Sequence, residues 1–400
     1  MITRRAAMTA GLAASLARWA SASRAAGLAA DTVKIGNTMV YSGAANYGAV
    51  GRAEAGYFQM VNDGGGIAGR HIDFISLDDE FSPPKTVEIT RKLVEQDGVA
   101  LILGSLGTPT SAAVQKYLND RGVPQLFPYT GADKWGNYKQ YPWTLGLLPS
   151  YRTEAQIYAK YILAHKQDAR IGILYRNDDY GKDYIVGLRD TLGPEYDKMV
   201  VAALTHEATD ATVDSQIVSL QSAGTDTFVL ATAGKFAAQA IRKAYDIGWK
   251  PAPLFLSYVG AVGVVTEAAG AEKAVGIISA EFVKDPTDPA WASDPGLQEW
   301  RAFMTKYLPH ADQSEVLYVH GYATAAALMA VLKQCGSDFS RANIMRQAAN
   351  LHDVELPVLL PGIKLNTAPN NHQAIREMQL ARWNGTTWQR FGPVIEGANL

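Results

Sequence analysis

The sequence predicts an α/β protein of two doubly wound lobes with a ligand cleft between them, and three observations support this fold class. The chain has 400 residues, which is more than one ordinary hydrophobic core requires. Short β-branched or aromatic segments alternate with amphipathic segments of about ten to fifteen residues. This alternation occurs twice in succession, so we expect two mostly parallel sheets. Ligands of such sheets bind beyond the carboxyl ends of the strands, and we therefore expect function to reside in the cleft.

The first unit begins at Asp31 and contains four predicted strands and three predicted helices. Its strands alternate or cluster β-branched and aromatic residues, whereas its helices carry apolar residues at the spacing of one helix face. We expect a helix from Ala49, helices at KTVEITRKLVEQD and PTSAAVQKYLNDRG, and strands at VKIGNTMV, HIDFISLDD, VALILG and VPQLFPY.

The second unit repeats this alternation and is followed by a different pattern. Its predicted helices are YRTEAQIYAKYILAHK, YGKDYIVGLRDTLG, TVDSQIVSLQSAG and KFAAQAIRKAYDIG, and its predicted strands are RIGILYRND, KMVVAALTH, TDTFVLAT and PLFLSY. From Glu281 onward we expect helices at WRAFMTKYL, VLYVHGYATAAALMAVLKQ and DFSRANIMRQAANL. The segment EMQLARWNGTTWQRFGPVI predicts a hairpin, because Asn384-Gly385 is a strong turn dipeptide.

Gly64, Gly66 and Gly69 have the G-x-G-x-x-G spacing of a dinucleotide-binding loop. That loop holds a pyrophosphate only where it follows a strand and opens a helix, because the N–H groups of the helix bind the phosphates. Here the order is reversed, since helix-forming residues precede the glycines and strand-forming residues follow them. We interpret Gly64 to Gly66 as a helix stop and a left-handed turn. We expect no cofactor, and an exported NAD-dependent enzyme stays only as a remote alternative.

Residues 1–30 have the pattern of an export signal. They contain four arginines and no acid, and Arg4-Arg5 before an Ala-rich apolar stretch indicates the twin-arginine type. Cleavage is expected after Ala22, with Ala30 as the alternative, and would change the formal net charge from −2 to about −6. An acidic surface argues against a nucleic-acid partner. No later apolar run is expected to approach the ~18 residues that cross a bilayer, so we expect a periplasmic protein.

The chain lacks sequence patterns typical of catalysis or metal binding. Its seven histidines are scattered and form no H-E-x-x-H motif, and neither G-x-S-x-G nor G-x-x-x-x-G-K-[ST] occurs. Asp178-Asp179 begins like a calcium loop but lacks the terminal glutamate, so we interpret it as a strand-to-helix turn. Cys335 is the only cysteine and is expected to be an inert buried thiol at a helix end. We therefore expect no enzyme, no catalytic residue and no metal.

Three predicted strands end in loops that face the expected cleft. In VALILGSLGTPTSAAV, Pro109 takes the first helical position and Thr108 is expected to cap the helix. The free N–H groups of such a helix N-terminus can bind a carboxylate, although an ordinary capped helix has the same pattern. VPQLFPYTGADKW places Thr130 and Gly131 in a similar loop, and YRNDDYGKDY places Tyr180 where its phenol can close over a ligand from the other lobe.

At these residues the chain resembles the type I periplasmic binding proteins, specifically the leucine/isoleucine/valine-binding receptors of ABC importers. The resemblance runs from about Thr32 to the C-terminus and is carried by IGNTMVYSGAANYGAVGRAEAGYFQMVNDGGGIAGRHIDFISLDDEFSPPKT, ALILGSLGTPTSAAVQKYLNDRGVPQLFPYTGA, ILYRNDDYGKD and NHQAIREMQLARWNGTTW. It implies two Rossmann-like lobes joined by crossovers near Pro149, Ser279 and Leu360. The expected lobes are 31–149 with 280–360 and 150–279 with 361–400.

The resemblance also implies which residues contact a ligand. An aromatic residue lies on the side chain of the ligand, two loops hold its carboxylate, and a tyrosine approaches from the far lobe. By position these are Tyr47, then Leu106, Gly107 and Thr108 with Thr130 and Ala132, and then Tyr180. The amino acid receptors of the family usually have a threonine at Ala132, so that hydroxyl contact is expected to be missing.

The expected ligand follows from one departure from the family pattern. Receptors for α-amino acids hold the ammonium with a glutamate, and the matching position here is Val259. An ammonium buried without a carboxylate would be an unpaired charge, so amino acids should bind poorly. The other expected lining residues are aromatic: Tyr47, Phe81, Tyr129, Tyr180, Tyr258 and Phe282, with Trp135 as a further candidate. Loop packing for Tyr47 and Phe81, and a core position for Tyr258, are the competing interpretations.

We therefore expect a monomeric receptor that closes on an aromatic carboxylic acid of the benzoate or cinnamate type and delivers it to an inner-membrane ABC permease. A short keto acid or an amide is the competing ligand class. A sensory subunit of the same fold, which would report its ligand to a chemoreceptor or kinase, is the competing role.

Overall fold

The computed structural model describes residues 32–42, 47–261 and 268–397. Within these residues the strands form two separate sheets, and helices flank both of them. The architecture is α/β with two parallel-sheet lobes, which confirms the fold class predicted from the alternation of strands and helices. The expected export signal at residues 1–30 lies outside the described residues.

The first sheet has five strands in the order β2-β1-β3-β4-β5, and all four pairs are parallel. The second sheet has seven strands in the order β12-β11-β10-β9-β8-β6-β7, in which the two C-terminal strands are antiparallel additions. The strands are β1 (Thr32–Met39), β2 (His71–Asp78), β3 (Leu101–Leu103), β4 (Gln125–Leu126), β5 (Thr144–Leu145), β6 (Ile171–Arg176), β7 (Val200–His206), β8 (Thr227–Ala231), β9 (Leu254–Leu256), β10 (Ile278–Glu281), β11 (Glu377–Trp383) and β12 (Trp388–Glu396).

The helices follow the strands in the predicted order. Most carry one apolar face that packs on a sheet, as their sequence periodicity predicts. Among the described residues the α-helices are α1 (Gly48–Asp63), α2 (Pro83–Glu95), α3 (Thr108–Asp120), α4 (Tyr151–His165), α5 (Asp179–Leu192), α6 (Tyr196–Met199), α7 (Asp214–Ser222), α8 (Gly234–Asp246), α9 (Pro295–Tyr307), α10 (Val316–Gln334) and α11 (Arg341–Ala348).

The glycines after α1 form a turn between a helix and a strand, as predicted. Gly64 ends the helix, and Gly65 and Gly66 take positive φ values of 98° and 75° before β2 begins at His71. A dinucleotide loop would need the opposite order, so these glycines serve the fold. Cys335 lies buried at the end of α10, where burial raises the pKa of its thiol to about 11, in line with the inert thiol predicted there.

Helix α10 is buried in the first lobe against α1. Gly321 permits this close approach, because an added Cβ would lie 2.7 Å from the Cβ of Ala53. The helix has 19 residues with a mean hydropathy of 1.3, and it is the one helix among the described residues long and apolar enough to cross a membrane. The expectation that no such run follows the N-terminal segment is therefore wrong. However, 83% of its most apolar window is buried inside the protein, as in the core helix of a globular lobe.

Three segments carry the chain between the lobes and hydrogen-bond to one another. The first, residues 146–150, joins β5 to α4, and its Gly146 accepts from the N–H of Ala374 at 2.9 Å. The second follows β10, where Phe282 accepts from the N–H of Leu360 at 3.0 Å. The third leads into β11. These pairings hold the crossing segments side by side, as a hinge between two rigid bodies requires.

We place two of these crossings later than the sequence interpretation does. Ser279 lies inside β10 and is paired within the second sheet, so that crossing comes after Glu281. Residues 361–376 remain with the first lobe, since the Nδ1 of His372 lies 2.8 Å from the carbonyl oxygen of Thr144 in β5. On this placement both crossings come after Ser279 and Leu360, because strand pairing and not loop composition decides where the chain crosses, and the lobe boundaries stay a prediction.

Candidate functional site

The loop after β3 forms the first wall of the site. Leu106 forms an isolated parallel bridge with Tyr129, so the loops after β3 and β4 lie side by side at the carboxyl end of the first sheet. Gly107, with φ 97°, is the N-cap of α3, and an added Cβ there would overlap the ring of Phe81. Phe81 itself is half-buried and packs on the core. Both carboxylate loops named from the resemblance therefore meet in the structure.

Thr108 has a different role from the one predicted. The helix begins at Thr108, and Gly107 takes the N-cap position without a side-chain hydrogen bond, so the prediction that Thr108 caps the helix is wrong. The N-cap must leave the helical conformation, and Gly107 adopts a positive φ that threonine disfavours. The hydroxyl of Thr108 lies 2.6 Å from the hydroxyl of Thr130 instead. This pair joins the two loops beside the free N–H groups of α3.

Tyrosines from the second lobe form the opposite wall. Tyr180 lies in the first turn of α5, and its ring centroid is 4.3 Å from that of Tyr151, at the start of α4. The hydroxyl of Tyr258, which follows β9, donates to the carbonyl oxygen of Pro149 at 3.1 Å. Gly131 of the first lobe lies under these rings, because an added Cβ would overlap the Tyr258 hydroxyl and lie 3.0 Å from Tyr151. The two walls are thus in contact.

The contacts between these side chains close into a circuit that uses both lobes. The hydroxyls of Thr130 and Tyr151 lie 3.4 Å apart. From Tyr151, ring contacts with centroid distances between 5.2 and 5.8 Å lead in turn to Tyr258, Phe282, His320 and Tyr129, which is the chain neighbour of Thr130. We call these six residues the aromatic circuit: Tyr129, Thr130, Tyr151, Tyr258, Phe282 and His320. Each of them is more than 90% buried.

Several polar groups in and beside the aromatic circuit have no hydrogen-bond partner among the described residues. The hydroxyls of Tyr47 and Tyr129 and the ring of His320 form none. The Tyr180 hydroxyl is buried near Ser257 and has no hydrogen-bond partner among the described residues. Of these groups only the Tyr180 hydroxyl is a fully buried atom without a partner, and such atoms are rare in proteins, so it marks a place where a ligand supplies the partner.

The remaining predicted site residues lie at the edge of this arrangement. Ala132 is buried directly after the second carboxylate loop and has no hydroxyl to offer. Val259 is half-buried beside Tyr258 and packs on the core. Tyr47 is half-buried at the N-cap of α1, where burial raises the pKa of its phenol. Trp135 is buried against Gly146 at the first crossing and shows no contact with the aromatic circuit.

A buried carboxyl group supports the second-lobe wall from behind. Glu154 of α4 accepts hydrogen bonds from the hydroxyls of Tyr158 and Tyr184, and from the backbone N–H of Tyr258 at 2.7 Å. Burial raises the pKa of Glu154 to about 8, although the three donors act in the opposite direction. The carboxyl is therefore protonated at neutral pH and fixes the loop that carries Tyr258.

The first lobe buries a carboxyl group in a similar place. Glu54 of α1 lies beneath the end of β3, where an added Cβ at Gly104 would overlap its Oε1. It accepts one hydrogen bond, from Nδ2 of Asn37 at 3.3 Å, and its Oε1 has no partner among the described residues. Burial raises the pKa of Glu54 well above its ordinary value.

Charged side chains connect the lobes beside the site. Nζ of Lys134, in the first lobe, lies 3.1 Å from a carboxylate oxygen of Asp179 in α5. The neighbouring Asp133 donates its backbone N–H to Asp183 at 2.8 Å and pairs with Arg152 of α4 at 3.3 Å. Burial raises the pKa of Asp183 to about 8. We call these five residues the lobe clasp, because their contacts exist only while the lobes are together.

Two residues of the aromatic circuit were not predicted as site residues from the sequence. Tyr151 and His320 lie on helices that read as ordinary amphipathic or apolar segments, and neither follows a strand. The one available signal for Tyr151 was its position directly after the crossing at Pro149. The position of His320 depends on how α10 packs against α1, which residue spacing does not encode. The described residues contain no group of three or more histidine, cysteine, aspartate or glutamate side chains arranged to hold a metal.

Comparison with known proteins gives a family match over nearly the whole chain. A family model described as periplasmic binding protein matches residues 32–387. The chain is 27% identical, over 169 residues, to the leucine-, isoleucine-, valine-, threonine- and alanine-binding protein of Pseudomonas aeruginosa. That alignment covers 41% of this chain and 44% of the relative, so it spans less than half of that protein.

Solved structures agree with the fold. A branched chain amino acid ABC transporter protein of Thermus thermophilus with bound valine superposes with a TM-score of 0.81 at 14% identity, covering 92% of this chain and 97% of the other. A solute binding protein of R. palustris in complex with benzoate gives a TM-score of 0.74 at 21% identity, covering 91% and 98%. At these identities the likeness establishes the fold and leaves the ligand open.

Proposed function

Since this chain belongs to the periplasmic binding protein family, in the group of the leucine/isoleucine/valine-binding receptors, we propose that it is a substrate-binding receptor for a small aromatic carboxylic acid. Members of this family are solute-binding receptors and not enzymes. In this proposal the protein captures its ligand in the periplasm as a monomer, closes its two lobes, and presents the ligand to an inner-membrane ABC permease.

The observation that carries the proposal is the aromatic circuit with its unsatisfied polar groups. Its members come from both lobes and are buried, yet the hydroxyl of Tyr129 and the ring of His320 form no hydrogen bond to a described residue. The hydroxyl of the adjoining Tyr180 is fully buried without a partner among those residues. A structural core would pair such groups, because an unpaired buried donor costs about 1–3 kcal/mol. Aromatic walls with a few unsatisfied polar groups are typical of small-molecule sites.

The loops of the first lobe favour a carboxylate. At the N-terminus of α3 the N–H groups of Thr108 and Thr110 form no hydrogen bond to a described residue, whereas that of Gly107 donates to the Tyr129 carbonyl oxygen at 3.3 Å. The paired hydroxyls of Thr108 and Thr130 lie beside these N–H groups. The partial positive charge of a helix N-terminus attracts an anion, and hydroxyls can donate to its oxygens.

An ammonium group has less support at the position where the resemblance places one. Val259 cannot pair with a positive charge, and the nearby buried carboxyl, Glu154, is occupied by three donors. The benzoate complex of the R. palustris protein supports an aromatic acid as a ligand that this fold accommodates.

The alternative ligand class is an α-amino acid, keto acid or amide. The name of the Pseudomonas aeruginosa relative and the valine in the Thermus thermophilus structure favour an amino acid. The alternative role is a sensory subunit, and genes for a permease and an ATPase beside this one would favour import.

A ligand panel tests the proposal. The protein is unfolded and refolded to remove bound material, and its melting temperature is measured with benzoate, hydroxybenzoates, phenylacetate and cinnamate, and with leucine, valine and glutamate. We expect stabilisation by at least one aromatic acid, and calorimetry then gives its affinity. Stabilisation by the amino acids alone would reject the aromatic ligand.

Two further measurements sharpen this result. Val259→Glu places a carboxylate where amino acid receptors have one, so it should weaken aromatic acids and improve leucine, whereas Val259→Gln is the uncharged control. Small-angle scattering should show a smaller radius of gyration with ligand than without it. An unchanged radius despite proven binding would contradict lobe closure.

A further inference from the structure

His320 lies in the wall of the candidate site, in the second turn of α10, and is 7% exposed. Its ring meets that of Tyr129 at 5.6 Å and that of Phe282 at 5.2 Å, both edge to face. Along the aromatic circuit it is separated from Thr130 by Tyr129 on one side and by three aromatic rings on the other. It therefore offers a polar group at a point different from the two carboxylate loops.

The other buried histidines show what a structural imidazole needs. Nδ1 of His206 lies 3.0 Å from the carbonyl oxygen of Glu207, and its Nε2 lies 2.8 Å from the Thr232 hydroxyl. His372 is likewise paired with a backbone carbonyl oxygen. Neither nitrogen of His320 forms a hydrogen bond within the described part of the chain. His320 is 7% exposed, so its imidazole, which lacks a partner among the described residues, is open to a group in the candidate site, and a ligand there is its natural partner.

The charge state of His320 restricts which group it can bind. Burial lowers the pKa of His320 to about 3, so the ring is neutral at any pH the periplasm reaches. A neutral imidazole has one N–H donor and one acceptor nitrogen. A phenolic hydroxyl can accept a hydrogen bond from the imidazole N–H or donate one to the unprotonated nitrogen, whereas a carboxylate can only accept. A second anionic group near His320 would also lack a positive partner.

We propose that His320 is a specificity-determining residue that selects aromatic acids carrying a ring hydroxyl over the unsubstituted parent acids. The inference rests on the proposed function, since it assumes that the ligand is an aromatic carboxylic acid. The hydroxyl would complete the hydrogen bonds of His320, and the phenol of Tyr129, also without a partner among the described residues, would be its second contact.

The test compares each parent acid with its hydroxylated forms. Calorimetry is done on the full protein with benzoate against 2-, 3- and 4-hydroxybenzoate, and with cinnamate against 4-hydroxycinnamate. We expect at least one hydroxylated acid to bind about tenfold tighter than its parent, which is what one buried hydrogen bond provides. The preference should be constant between about pH 5.5 and 8, because the imidazole does not titrate there.

Substitution then assigns the preference to the imidazole. His320→Phe keeps a ring of similar size but removes both nitrogens, so the ratio of the affinity for the hydroxylated acid to that for the parent acid should fall about tenfold. His320→Gln keeps a donor and an acceptor and should retain part of the preference. His310→Phe, at an exposed histidine, is the matched control and should change neither affinity.

Folding is checked by the melting temperature of each variant. If His320→Phe does not fold, ¹⁵N chemical shifts of the His320 imidazole in the unsubstituted protein provide the same test, and they should change with the hydroxylated acid but not with its parent. The inference is overturned if aromatic acids bind but the preference is absent, or persists in His320→Phe, and the proposed function then still stands. If only amino acids bind, the proposed function fails and this inference fails with it.

Discussion

The two lobes support the candidate site with buried glutamates that occupy similar places but have different partners. Glu54 of α1 lies beneath Gly104 at the end of β3, and Glu154 of α4 lies beneath Tyr258 at the end of β9. Glu154 accepts from three donors. Glu54 accepts one hydrogen bond, from Asn37.

This difference shows how each wall is held. In the second lobe, side-chain hydrogen bonds through Glu154 fix the loop that carries Tyr258, so the wall is a rigid set of rings. In the first lobe, the loop is shaped by glycines at Gly104 and Gly107, both at positive φ, and the backbone N–H groups of Thr108 and Thr110 are left for a ligand. Fixing one wall and leaving hydrogen-bonding capacity in the other suits a receptor in which a single ligand must join the two.

The largest effect is expected when the two glutamates are truncated. Glu154→Ala leaves the backbone N–H of Tyr258 unpaired and opens a cavity in the core, so it should lower the free energy of unfolding by about 3–5 kcal/mol. The hydroxyls of Tyr158 and Tyr184 keep the Leu256 carbonyl oxygen and the Ser257 hydroxyl as partners. Glu54→Ala removes the partner of one weak hydrogen bond. Its loss in free energy of unfolding should be smaller than that of Glu154→Ala by at least about 2 kcal/mol. Urea unfolding of both variants measures the difference, and equal costs would show that the donors around Glu154 contribute nothing.

Ionisation of Glu154 gives the second prediction. Its native pKa of about 8 lies above its ordinary value of 4.5, so the native state binds the proton more tightly than the unfolded state. The stabilisation is complete below pH 4.5 and is lost as the pH rises through about 8. Glu154→Gln has no carboxyl group to titrate, so its stability should not show this pH dependence. Between pH 4.5 and about 8, the melting temperature of the unsubstituted protein should therefore fall by a few degrees relative to that of the variant. Parallel pH profiles would contradict it.

The third prediction concerns the hydroxyl pair of the first lobe. Thr108→Val keeps the volume but removes a hydroxyl offered to a carboxylate, which is worth roughly 1.5–3 kcal/mol, or about tenfold to a hundredfold in affinity. Stability should hardly change, because Thr108 does not cap α3. The control is Thr90→Val, at a buried hydroxyl in α2 without a partner among the described residues, which should not affect binding. Unchanged affinity in Thr108→Val would remove Thr108 from the site.

The smallest effect is expected in the lobe clasp. Lys134→Ala removes the ion pair with Asp179, which is partly exposed and therefore worth no more than about 1 kcal/mol. Ligand affinity should fall by less than about fivefold and should depend less on salt. Lys116→Ala removes a pair within α3, with Asp120, and should leave both quantities unchanged. An effect of Lys116→Ala as large as that of Lys134→Ala would mean that the pair between lobes has no special role.

The fold followed from the sequence because each strand and helix is locally encoded. The glycines from Gly64 to Gly66 illustrate this, since the helix before them and the strand after them decided between a turn and a nucleotide loop. The loops that contain Leu106 and Tyr129 lie beside each other, because parallel strands bring their carboxyl ends to one edge of a sheet, while their role in ligand binding stays a prediction.

What the sequence did not reveal depends on packing between distant segments. His320 reaches the site because Gly321 brings α10 close to α1, and no spacing within α10 indicates that. The role of Glu154 depends on Tyr184 and Tyr258, which come from other elements of the second lobe. The cap of α3 was misassigned because Thr108 is a common capping residue, whereas the positive φ of Gly107 is known only from the structure.

The burial of α10 bears on how such a chain reaches its compartment. A polypeptide that crosses a bilayer unfolded would present Val316–Gln334 to lipid as a continuous apolar helix of spanning length. A polypeptide that folds first keeps this helix against α1, where lipid cannot reach it. We propose that the twin-arginine signal expected from Arg4-Arg5 and the hydropathy of α10 are linked: redirecting export to a route for unfolded chains should leave part of the protein in the membrane through this helix.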